Sequence, residues 1–281
     1  MKQHLSNTPG PIGVFDSGYG GLTILDKIRE VLPEYDYIYL GDSARCPYGP
    51  RSFEVVYEFT LQAVSKLFEL GCPLVILACN TASAKALRTI QQINLPVIDA
   101  TRRVLGVIRP TAECIGEITR SRHVGILATA GTIKSESYLL EIHKLSPDIV
   151  VTGEACPMWV SLVENNEYQS EGADYFVKQH INRLLDKDPM IDTIILGCTH
   201  YPLLLDKIRQ FTPGHIRIIA QGEYVARSLQ DYLNRHPEMD ARCEKGGKCR
   251  FLTTESENKF EESASIFLGR QDIKVESIAL E

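Results

Sequence analysis

Two stretches of the chain look like copies of one another, and they constrain the fold more than any other feature. Leu74–Ser83 reads LVILACNTAS, and Thr193–Pro202 reads TIILGCTHYP. Each is an apolar, strand-forming run that ends on a cysteine and continues into small hydroxyl or amide residues. The repetition predicts two related halves that each present one thiol, Cys79 or Cys198, at the end of a strand. Two thiols on opposite faces of a ligand can remove a proton from one side and return it from the other.

Short apolar runs recur along the chain with helix-type segments between them. This alternation predicts an α/β protein with parallel sheets flanked by helices. Thr81–Ile93 and Leu203–Phe211 carry helical spacing, and runs such as VILA and IILG are apolar on both faces, as in strands covered by helices on both sides. The predicted strands are Ile12–Phe15, Tyr37–Gly41, Leu74–Ala78, Val97–Asp99, Val124–Ala128, Ile149–Gly153, Ile194–Gly197, Ile216–Ala220 and Phe251–Thr254.

The length of 281 residues allows two compact domains, each with a substantial core. No long linker separates the halves. A boundary near Thr101–Pro110 is predicted, with a return crossing near Phe211–Gly214, where a Pro-Gly pair interrupts the chain.

Charge and hydropathy argue against two classes of partner. The net charge is −6, and no clustered Lys/Arg surface of the kind that binds phosphate backbones is evident, so no nucleic-acid partner is expected. No stretch approaches roughly 18 consecutive apolar residues, and the first residues, MKQHLSNTPGP, lack the apolar core of a secretory signal. We therefore expect a cytoplasmic protein with no membrane partner.

The eight cysteines suit disulfides in an exported protein, but without an export signal we expect reduced thiols. Cys243 and Cys249 form a C-x5-C pair in the segment Arg242–Arg250, which is predicted to be an exposed loop. Such a pair alone is a poor zinc motif, and no metal site is predicted.

The polar residues that we select all follow predicted strands directly. In an open parallel sheet the ligand site lies beyond the carboxyl ends of the strands, so these residues are expected at such an edge. They are Asp16, Asp42, Cys79, Thr129, Glu154 and Cys198.

Each duplicated motif combines a thiol with groups that can activate it. A cysteine that opens a helix meets free backbone N–H groups and the positive end of the helix dipole, which favour the thiolate. Asn80 and Thr81 follow Cys79 and add side-chain donors, while His200 follows Cys198 by two residues and can exchange its proton. The alternatives are a buried, inert cysteine and a histidine that faces solvent.

Three further strand ends supply candidate groups. Asp16 opens the glycine-rich turn DSGYGG, which does not fit a nucleotide-binding pattern; its carboxylate could assist a thiol, anchor an ammonium group or simply cap a helix. Thr129 and Thr132 offer two hydroxyls at another strand-to-helix junction. Glu154 is predicted to be a second acid near His200.

Five motifs occur in order between residues 12 and 202: GVFDSGYGGLTIL, YLGDSARCPYG, ACNTASA, GEACP and TIILGCTHYP. Together they resemble the landmarks of the glutamate racemase family, within the cofactor-independent aspartate/glutamate racemase superfamily. FLTTESENKF and IFLG resemble the C-terminal segment of that family. The chain departs from the pattern at Ala220-Gln221-Gly222-Glu223, where the family more often has an Asp-Ser-Gly or Asp-Gly type segment.

The resemblance implies a racemisation of glutamate that needs no cofactor. Cys79 would abstract the α-proton of D-glutamate and Cys198 that of L-glutamate, each thiol reprotonating the opposite face. Asp16 would assist Cys79, while His200, together with Glu154, would assist Cys198. The positions implied to hold the substrate are Asp16, Ser17, Tyr48, Gly49, Asn80, Thr81, Thr129, Thr132, Thr199 and His200.

The resemblance also implies two α/β domains, each with a mostly parallel sheet, and an active site at their interface. The first would comprise residues 1–101 plus 212–281 and the second residues 102–211. In the family, D-glutamate feeds peptidoglycan synthesis, and we expect the same role here. The sequence does not determine the oligomeric state, and a homodimer is the assembly that we consider.

Three other readings stay open at this point. The substrate could be aspartate or another small acidic molecule. The chain could be a cysteine hydrolase with Cys198 or Cys79 as nucleophile and His200 as base, although this leaves one of the duplicated thiols without a role. It could also be a binding protein that kept the fold without the reaction.

Overall fold

The computed structural model describes residues 8–269 and 273–280, so most of the N-terminal extension Met1–Gly10 lies outside the described residues. The strands are β1 (Ile12–Asp16), β2 (Tyr37–Gly41), β3 (Leu74–Leu77), β4 (Arg103–Gly106), β5 (His123–Ala128), β6 (Val150–Ala155), β7 (Thr193–Gly197), β8 (Arg217–Ile219), β9 (Cys249–Thr253) and β10 (Val275–Ser277).

The helices alternate with these strands along most of the chain. They are α1 (Leu22–Val31), α2 (Phe53–Glu69), α3 (Asn80–Lys85), α4 (Leu87–Thr89), α5 (Leu95–Ile98), α6 (Ile108–Ile118), α7 (Ala130–Lys134), α8 (Ser137–Leu145), α9 (Trp159–Glu164), α10 (Glu171–Lys187), α11 (Leu205–Phe211), α12 (Gly222–Arg235), α13 (Pro237–Asp240) and α14 (Glu257–Leu268). Short 3₁₀ turns lie at Ser43–Arg45 and Tyr201–Leu204, and Ile90–Asn94 forms a π-helical turn.

The described strands form two parallel sheets. The first has six strands in the order β10-β9-β2-β1-β3-β4, and the second has four in the order β6-β5-β7-β8. Every pairing between neighbouring strands in these sheets is parallel. The predicted α/β class with two helix-flanked parallel sheets is therefore confirmed.

Alternating side chains of the central strands enter different parts of the core. In β1, Val14 packs in a cluster on one face of the first sheet, whereas its neighbour Phe15 packs in the cluster on the other face. In β7, Ile194 and Ile195 divide in the same way between two clusters of the second sheet. Because side chains alternate along a strand, a run that is apolar at every position fits only a sheet that is covered on both faces.

The predicted strand Val97–Asp99 is wrong. Val97 and Ile98 end the short helix α5, and Val97 is 85% exposed. The strand beside β3 is instead β4, which pairs with it along its whole length. β4 was missed because its short sequence, RVLG, carries only two apolar residues between an exposed arginine and a glycine.

The chain passes from the first sheet to the second after β4 and returns after β8. Arg103–Gly106 pairs with β3 of the first sheet, and Arg217–Ile219 pairs with β7 of the second. A division that follows the sheets therefore lies a few residues later than the predicted boundaries after residues 101 and 211. The division into two domains itself stays a prediction.

The buried centre of β7 allows a test of this packing. Ile194→Ala should lower the free energy of unfolding by about 2–5 kcal/mol, because Ile194 is fully buried and its truncation leaves a cavity. Val97→Ala, at an exposed position, should change it by about 0.5 kcal/mol or less. Urea denaturation followed by circular dichroism measures both. Equal effects of the two substitutions would contradict the observed burial.

Candidate active site

The two duplicated cysteines line one cleft between the sheets. Cys79 follows β3 of the first sheet and Cys198 follows β7 of the second. The cleft has a volume of about 20 Å³, which is room for a single water molecule, so the groups that line it are in a closed arrangement. The lining residues are Ser17, Cys46, Pro47, Tyr48, Gly49, Cys79, Asn80, Thr81, Thr129, Val160, Cys198, Thr199 and His200.

Cys79 caps the N-terminus of α3, as the strand-to-helix pattern predicts. Its Sγ accepts a hydrogen bond from the backbone N–H of Ala82 at 3.5 Å and donates to Ser17 Oγ at 3.4 Å. Burial, together with the neighbouring Asp16 carboxylate, raises the pKa of the Cys79 thiol to about 12. In this closed arrangement Cys79 is therefore a protonated thiol, able to give a proton.

Asp16 connects the two sheets behind Cys79. Its carboxylate accepts hydrogen bonds from the backbone N–H of Gly18 at 3.0 Å and from Thr199 Oγ1 at 3.4 Å. Burial raises the pKa of Asp16, and the nearby His200 opposes that rise. Asp16 influences Cys79 by charge, whereas the hydrogen-bond partner of the Cys79 thiol is Ser17.

The glycine-rich turn after β1 brings these groups into close approach. A Cβ atom on Gly20 would lie 2.4 Å from Thr199 Oγ1 and 2.6 Å from His200 Nδ1. No side chain tolerates such distances, so a glycine here lets the turn reach the second duplicated motif. The turn therefore serves this contact between the two halves.

Cys198 belongs to a chain of polar contacts with a histidine and a carboxylate. Its Sγ lies 3.9 Å from His200 Nδ1, and His200 Nε2 lies 3.0 Å from Glu164 Oε1. Although burial opposes it, hydrogen bonding to Cys198 and Glu164 raises the pKa of His200 to about 10. Although burial opposes it, the hydrogen bond with His200 lowers the pKa of Glu164. His200 is therefore held as an imidazolium beside Cys198.

The predicted placement of Glu154 beside His200 is wrong. Its carboxylate accepts hydrogen bonds from His180 Nδ1 at 2.7 Å and from Lys187 Nζ at 2.6 Å, both on α10. The cause is the length of β6, which runs to Ala155, so Glu154 lies within the strand and its side chain faces α10. The acid at His200 is Glu164, at the end of α9, a position that no strand-end pattern marks.

The structure also brings a third thiol to this end of the cleft. Cys46 Sγ donates to Glu164 Oε1 at 3.0 Å. Burial, reinforced by the Glu164 charge, raises the pKa of Cys46 well above its usual value, so Cys46 is a thiol and a hydrogen-bond donor. Cys46 was not selected from the sequence because it lies in a loop rather than at a strand end.

Three threonine hydroxyls meet across the two halves. Thr81 Oγ1, from α3, lies 3.0 Å from Thr129 Oγ1 and 3.4 Å from Thr132 Oγ1, while the latter two lie 3.1 Å apart. Each hydroxyl can donate or accept. The predicted grouping of these threonines at one site is thus reproduced in space, although Thr132 lies behind the cleft lining.

Tyr48 and Gly49 form part of the rim. The Tyr48 hydroxyl donates to Asp42 Oδ2 at 2.5 Å, so it is committed to that carboxylate and the ring lines the cleft. Gly49 O accepts from the backbone N–H of Gly131 at 3.1 Å, and a Cβ on Gly49 would lie 2.9 Å from the Cβ of Thr129. Backbone of the first half thus rests directly on the second.

The Asn80 side chain is held by hydrogen bonds to two residues outside the cleft lining. Its side chain is hydrogen bonded to Gln221 and to Tyr138, and all three side chains are buried. Gln221 lies in the segment Ala220-Gln221-Gly222-Glu223 and was not among the predicted site residues. Sequence gave no signal for its contact with Asn80, since the two are far apart in the chain.

Other features of the described residues bear on the earlier expectations. Within residues 8–269 and 273–280, no helix is long and apolar enough to cross a membrane, and no cluster of three His, Cys, Asp or Glu side chains could hold a metal ion. None of the eight cysteines, which include Cys243 and Cys249, forms a disulfide.

The family model for Asp/Glu/Hydantoin racemase matches residues 12–229. The glutamate racemase of Ruegeria sp. (strain TM1040) is 38% identical over 270 residues, covering 92% of this chain and 97% of the relative. That of Bacillus cereus is 40% identical over 271 residues, covering 96% and 97%.

Solved structures agree with these sequence matches. Glutamate racemase isoform RacE1 from Bacillus anthracis superposes with a TM-score of 0.87 at 36% identity, covering 96% of this chain and 98% of that one. The glutamate racemase of Francisella tularensis, solved in complex with D-glutamate, gives 0.84 at 32% identity, covering 97% and 98%. The chain is an amino-acid racemase, and it belongs to the Asp/Glu/Hydantoin racemase family.

Proposed function

We propose that this chain interconverts L- and D-glutamate by a cofactor-independent 1,1-proton transfer in which Cys79 and Cys198 are the two bases. The observation that carries the proposal is the pair of thiols, one from each sheet, in a single closed cleft. Similarity to glutamate racemases over most of the chain supports glutamate as the substrate, as does the relative from Francisella tularensis that holds D-glutamate.

In this mechanism one sulfur takes the α-proton and the other returns a proton to the opposite face. Cys198 acts on L-glutamate and Cys79 on D-glutamate. Because the two thiols exchange roles between the directions, one must be a thiolate whenever the other is a thiol.

The protonated state of Cys79 in the closed cleft is the one that the reaction from L-glutamate requires. Cys79 is a thiol, since its pKa is about 12, and is ready to donate. His200, whose pKa is about 10, holds a positive charge beside Cys198, with its Nδ1 3.9 Å from the sulfur. In the reverse direction Cys79 must lose its proton, and Asp16, whose own pKa is raised by burial, is the carboxylate that we propose to assist that step.

The carbanion that forms at the α-carbon needs its charge spread into the carboxylate. With no cofactor in this mechanism, preorganised donors must stabilise that charge, and each can contribute about 3–4 kcal/mol. The residues that carry three such hydroxyls, Thr81, Thr129 and Thr199, line the cleft. Ser17 adds a further hydroxyl beside Cys79.

Glutamate enters only if the cleft opens, because the closed volume of about 20 Å³ holds one water molecule. The contacts between Thr81 and Thr129 and between Gly49 and Gly131 join the two halves around the cleft. We propose that these contacts part to admit substrate and reform around it, which excludes water and fixes the α-carbon between the sulfurs.

A cysteine hydrolase is the second candidate, because Cys198, His200 and Glu164 form the sequence of contacts that activates a nucleophilic thiol. Hydrolysis would leave Cys79 without a role. A burst of chromophore from an activated ester, followed by turnover, would favour that reading over proton transfer.

Three finer expectations remain predictions from the sequence. They are the supply of D-glutamate to peptidoglycan synthesis, a cytoplasmic location and assembly as a homodimer. Sedimentation velocity of the purified protein tests the last of these.

Replacing either proposed base should abolish racemisation. Cys79→Ser and Cys198→Ser should each lower kcat by on the order of 1000-fold or more in both directions, because a hydroxyl is a far weaker acid than a thiol and general acid–base catalysis contributes up to about 10⁴-fold. Circular dichroism of L- and D-glutamate solutions follows the reaction. Cys114→Ser, outside the cleft, is the control and should retain activity. Full activity of either cleft variant would refute the two-base mechanism.

The carboxylate beside His200 should be needed, whereas the one predicted from the sequence should not. Glu164→Gln should lower kcat by on the order of 100-fold, while Glu154→Gln, which alters a carboxylate bound to α10, should leave kcat within about threefold. Racemisation assays in both directions measure these values. The opposite order of effects would restore Glu154 as the assisting acid.

The same substitution should shift the alkaline limb of the pH profile. Glu164 raises the pKa of His200, so the imidazolium is present at neutral pH and is lost as pH rises through about 10. Removing the Glu164 charge lowers that pKa, so activity of Glu164→Gln should fall at a lower pH than in the unaltered protein. Profiles of kcat/KM for L-glutamate between pH 6 and pH 11 measure this displacement of the alkaline limb. It should be on the order of one pH unit or more. An unchanged alkaline limb would show that His200 does not depend on Glu164.

A further inference from the structure

Three buried side chains form a closed ring of hydrogen bonds behind the cleft. Asn80 Nδ2 donates to Gln221 Oε1, Gln221 Nε2 donates to the Tyr138 hydroxyl, and that hydroxyl donates to Asn80 Oδ1, each at 2.7 Å. The three residues are only 2–3% exposed. Each side chain both donates and accepts, so the orientation of any one fixes the other two.

A backbone carbonyl outside the ring determines which way the ring runs. Gln221 Nε2 lies 3.1 Å from the carbonyl oxygen of Val107 and 3.1 Å from Thr111 Oγ1. A carbonyl oxygen can only accept, so the NH₂ group of Gln221 must face Val107. Its Oε1 must then face Asn80, and Asn80 must meet it with Nδ2. Tyr138 completes the ring at Asn80 Oδ1, and burial raises its pKa, so that its hydroxyl stays a donor.

The ring decides what Asn80 offers to the cleft. Asn80 lines the cleft beside Cys79. Its Oδ1 is taken by Tyr138 and one of its two amide hydrogens by Gln221, so the donor that remains is the second N–H on Nδ2. An N–H group favours a carboxylate, whereas a reversed amide would present a carbonyl oxygen and repel one.

The ring also connects both chain crossovers to the cleft. Val107 precedes α6, just after the first crossover, and Gln221 precedes α12, just after the second. Tyr138 lies in α8 of the second half, and Asn80 opens α3 of the first. The orientation of Asn80 is therefore set by the segments that join the two sheets.

We propose that Gln221 is a positioning residue that holds the Asn80 amide with an N–H toward the cleft, and that this selects a carboxylate of the substrate over a carboxamide. The proposal rests on the proposed function, since it takes glutamate as the substrate. Gln221 does not touch the substrate and acts only through Asn80.

Three variants separate this role from general support of the fold. Gln221→Met keeps the length of the side chain but removes the acceptor that faces Asn80. Tyr138→Phe removes the donor to Asn80 Oδ1 while Val107 still orients Gln221. Thr111→Val, the matched control, removes a hydroxyl outside the ring that lies 3.1 Å from the same Gln221 nitrogen, whose two hydrogens are already accounted for by Tyr138 and Val107.

We expect KM for glutamate to rise roughly tenfold in Gln221→Met, as for loss of one hydrogen bond to a carboxylate. It should rise by a smaller factor in Tyr138→Phe and stay unchanged in Thr111→Val, with kcat within about threefold in all three. The second readout is inhibition by the carboxamides glutamine and isoglutamine. The ratio of Ki for the amide to KM for glutamate should fall in Gln221→Met for at least one of them, because Asn80 is then free to reverse.

The outcomes distinguish this proposal from the proposed function. If the unaltered chain does not racemise glutamate, the proposed function fails. If it does, and if KM and the amide-to-acid ratio are unchanged in Gln221→Met, the role of Gln221 is refuted. Should Gln221→Met not fold, an unchanged KM in Tyr138→Phe refutes it equally. A loss of kcat at constant KM also refutes it, because that is the result of a merely structural role.

Discussion

The meeting of two parallel sheets at the carboxyl ends of their strands is the constraint on which the site depends. Each duplicated motif needs a buried strand to deliver its thiol and a helix start to receive it, and neither sheet alone supplies both cysteines. The contact between Asp16 and Thr199 and the glycine at position 20 allow the halves to approach closely enough to share one cleft. The packing of the two sheets therefore sets the distance between the two proposed bases, because any displacement of one half moves its cysteine relative to the cysteine of the other half.

The two thiols have different neighbours, although the sequence motifs that contain them are alike. Cys79 has a buried carboxylate nearby, which adds to the effect of burial and keeps the thiol protonated. Cys198 has an imidazolium, itself held by Glu164, and Cys46 donates a further hydrogen bond to that carboxylate. The arrangement places a protonated thiol on one side of the cleft and a positively charged imidazolium beside the other sulfur. This asymmetry is what a two-base transfer requires at the start of a turnover.

The strand-end pattern predicted the groups that follow strands directly and failed where the contact is made by another element. Cys79, Cys198 and Thr129 were selected because a buried apolar run ends just before them, which local sequence reveals. Glu154 failed because its strand continues for two more residues than predicted, so Glu154 lies within the strand and its side chain meets α10. Glu164 and Gln221 meet His200 and Asn80 only through tertiary packing, so no local pattern could mark them. Val97–Asp99 was mistaken for a strand because its composition resembles that of a strand such as β4. Only the folded structure shows that Val97 is exposed whereas Val104 of β4 is buried.

The most direct test of the two-base transfer is the fate of the α-proton in D2O at low conversion. Starting from L-glutamate, the two-base mechanism predicts that the D-glutamate formed carries deuterium at the α-carbon, because Cys79 supplies a solvent-exchanged proton, while the remaining L-glutamate keeps its original proton. Mass spectrometry of the separated enantiomers measures both. D-glutamate that retains the original α-proton would mean that one group both removes and returns it, and that result would contradict the mechanism.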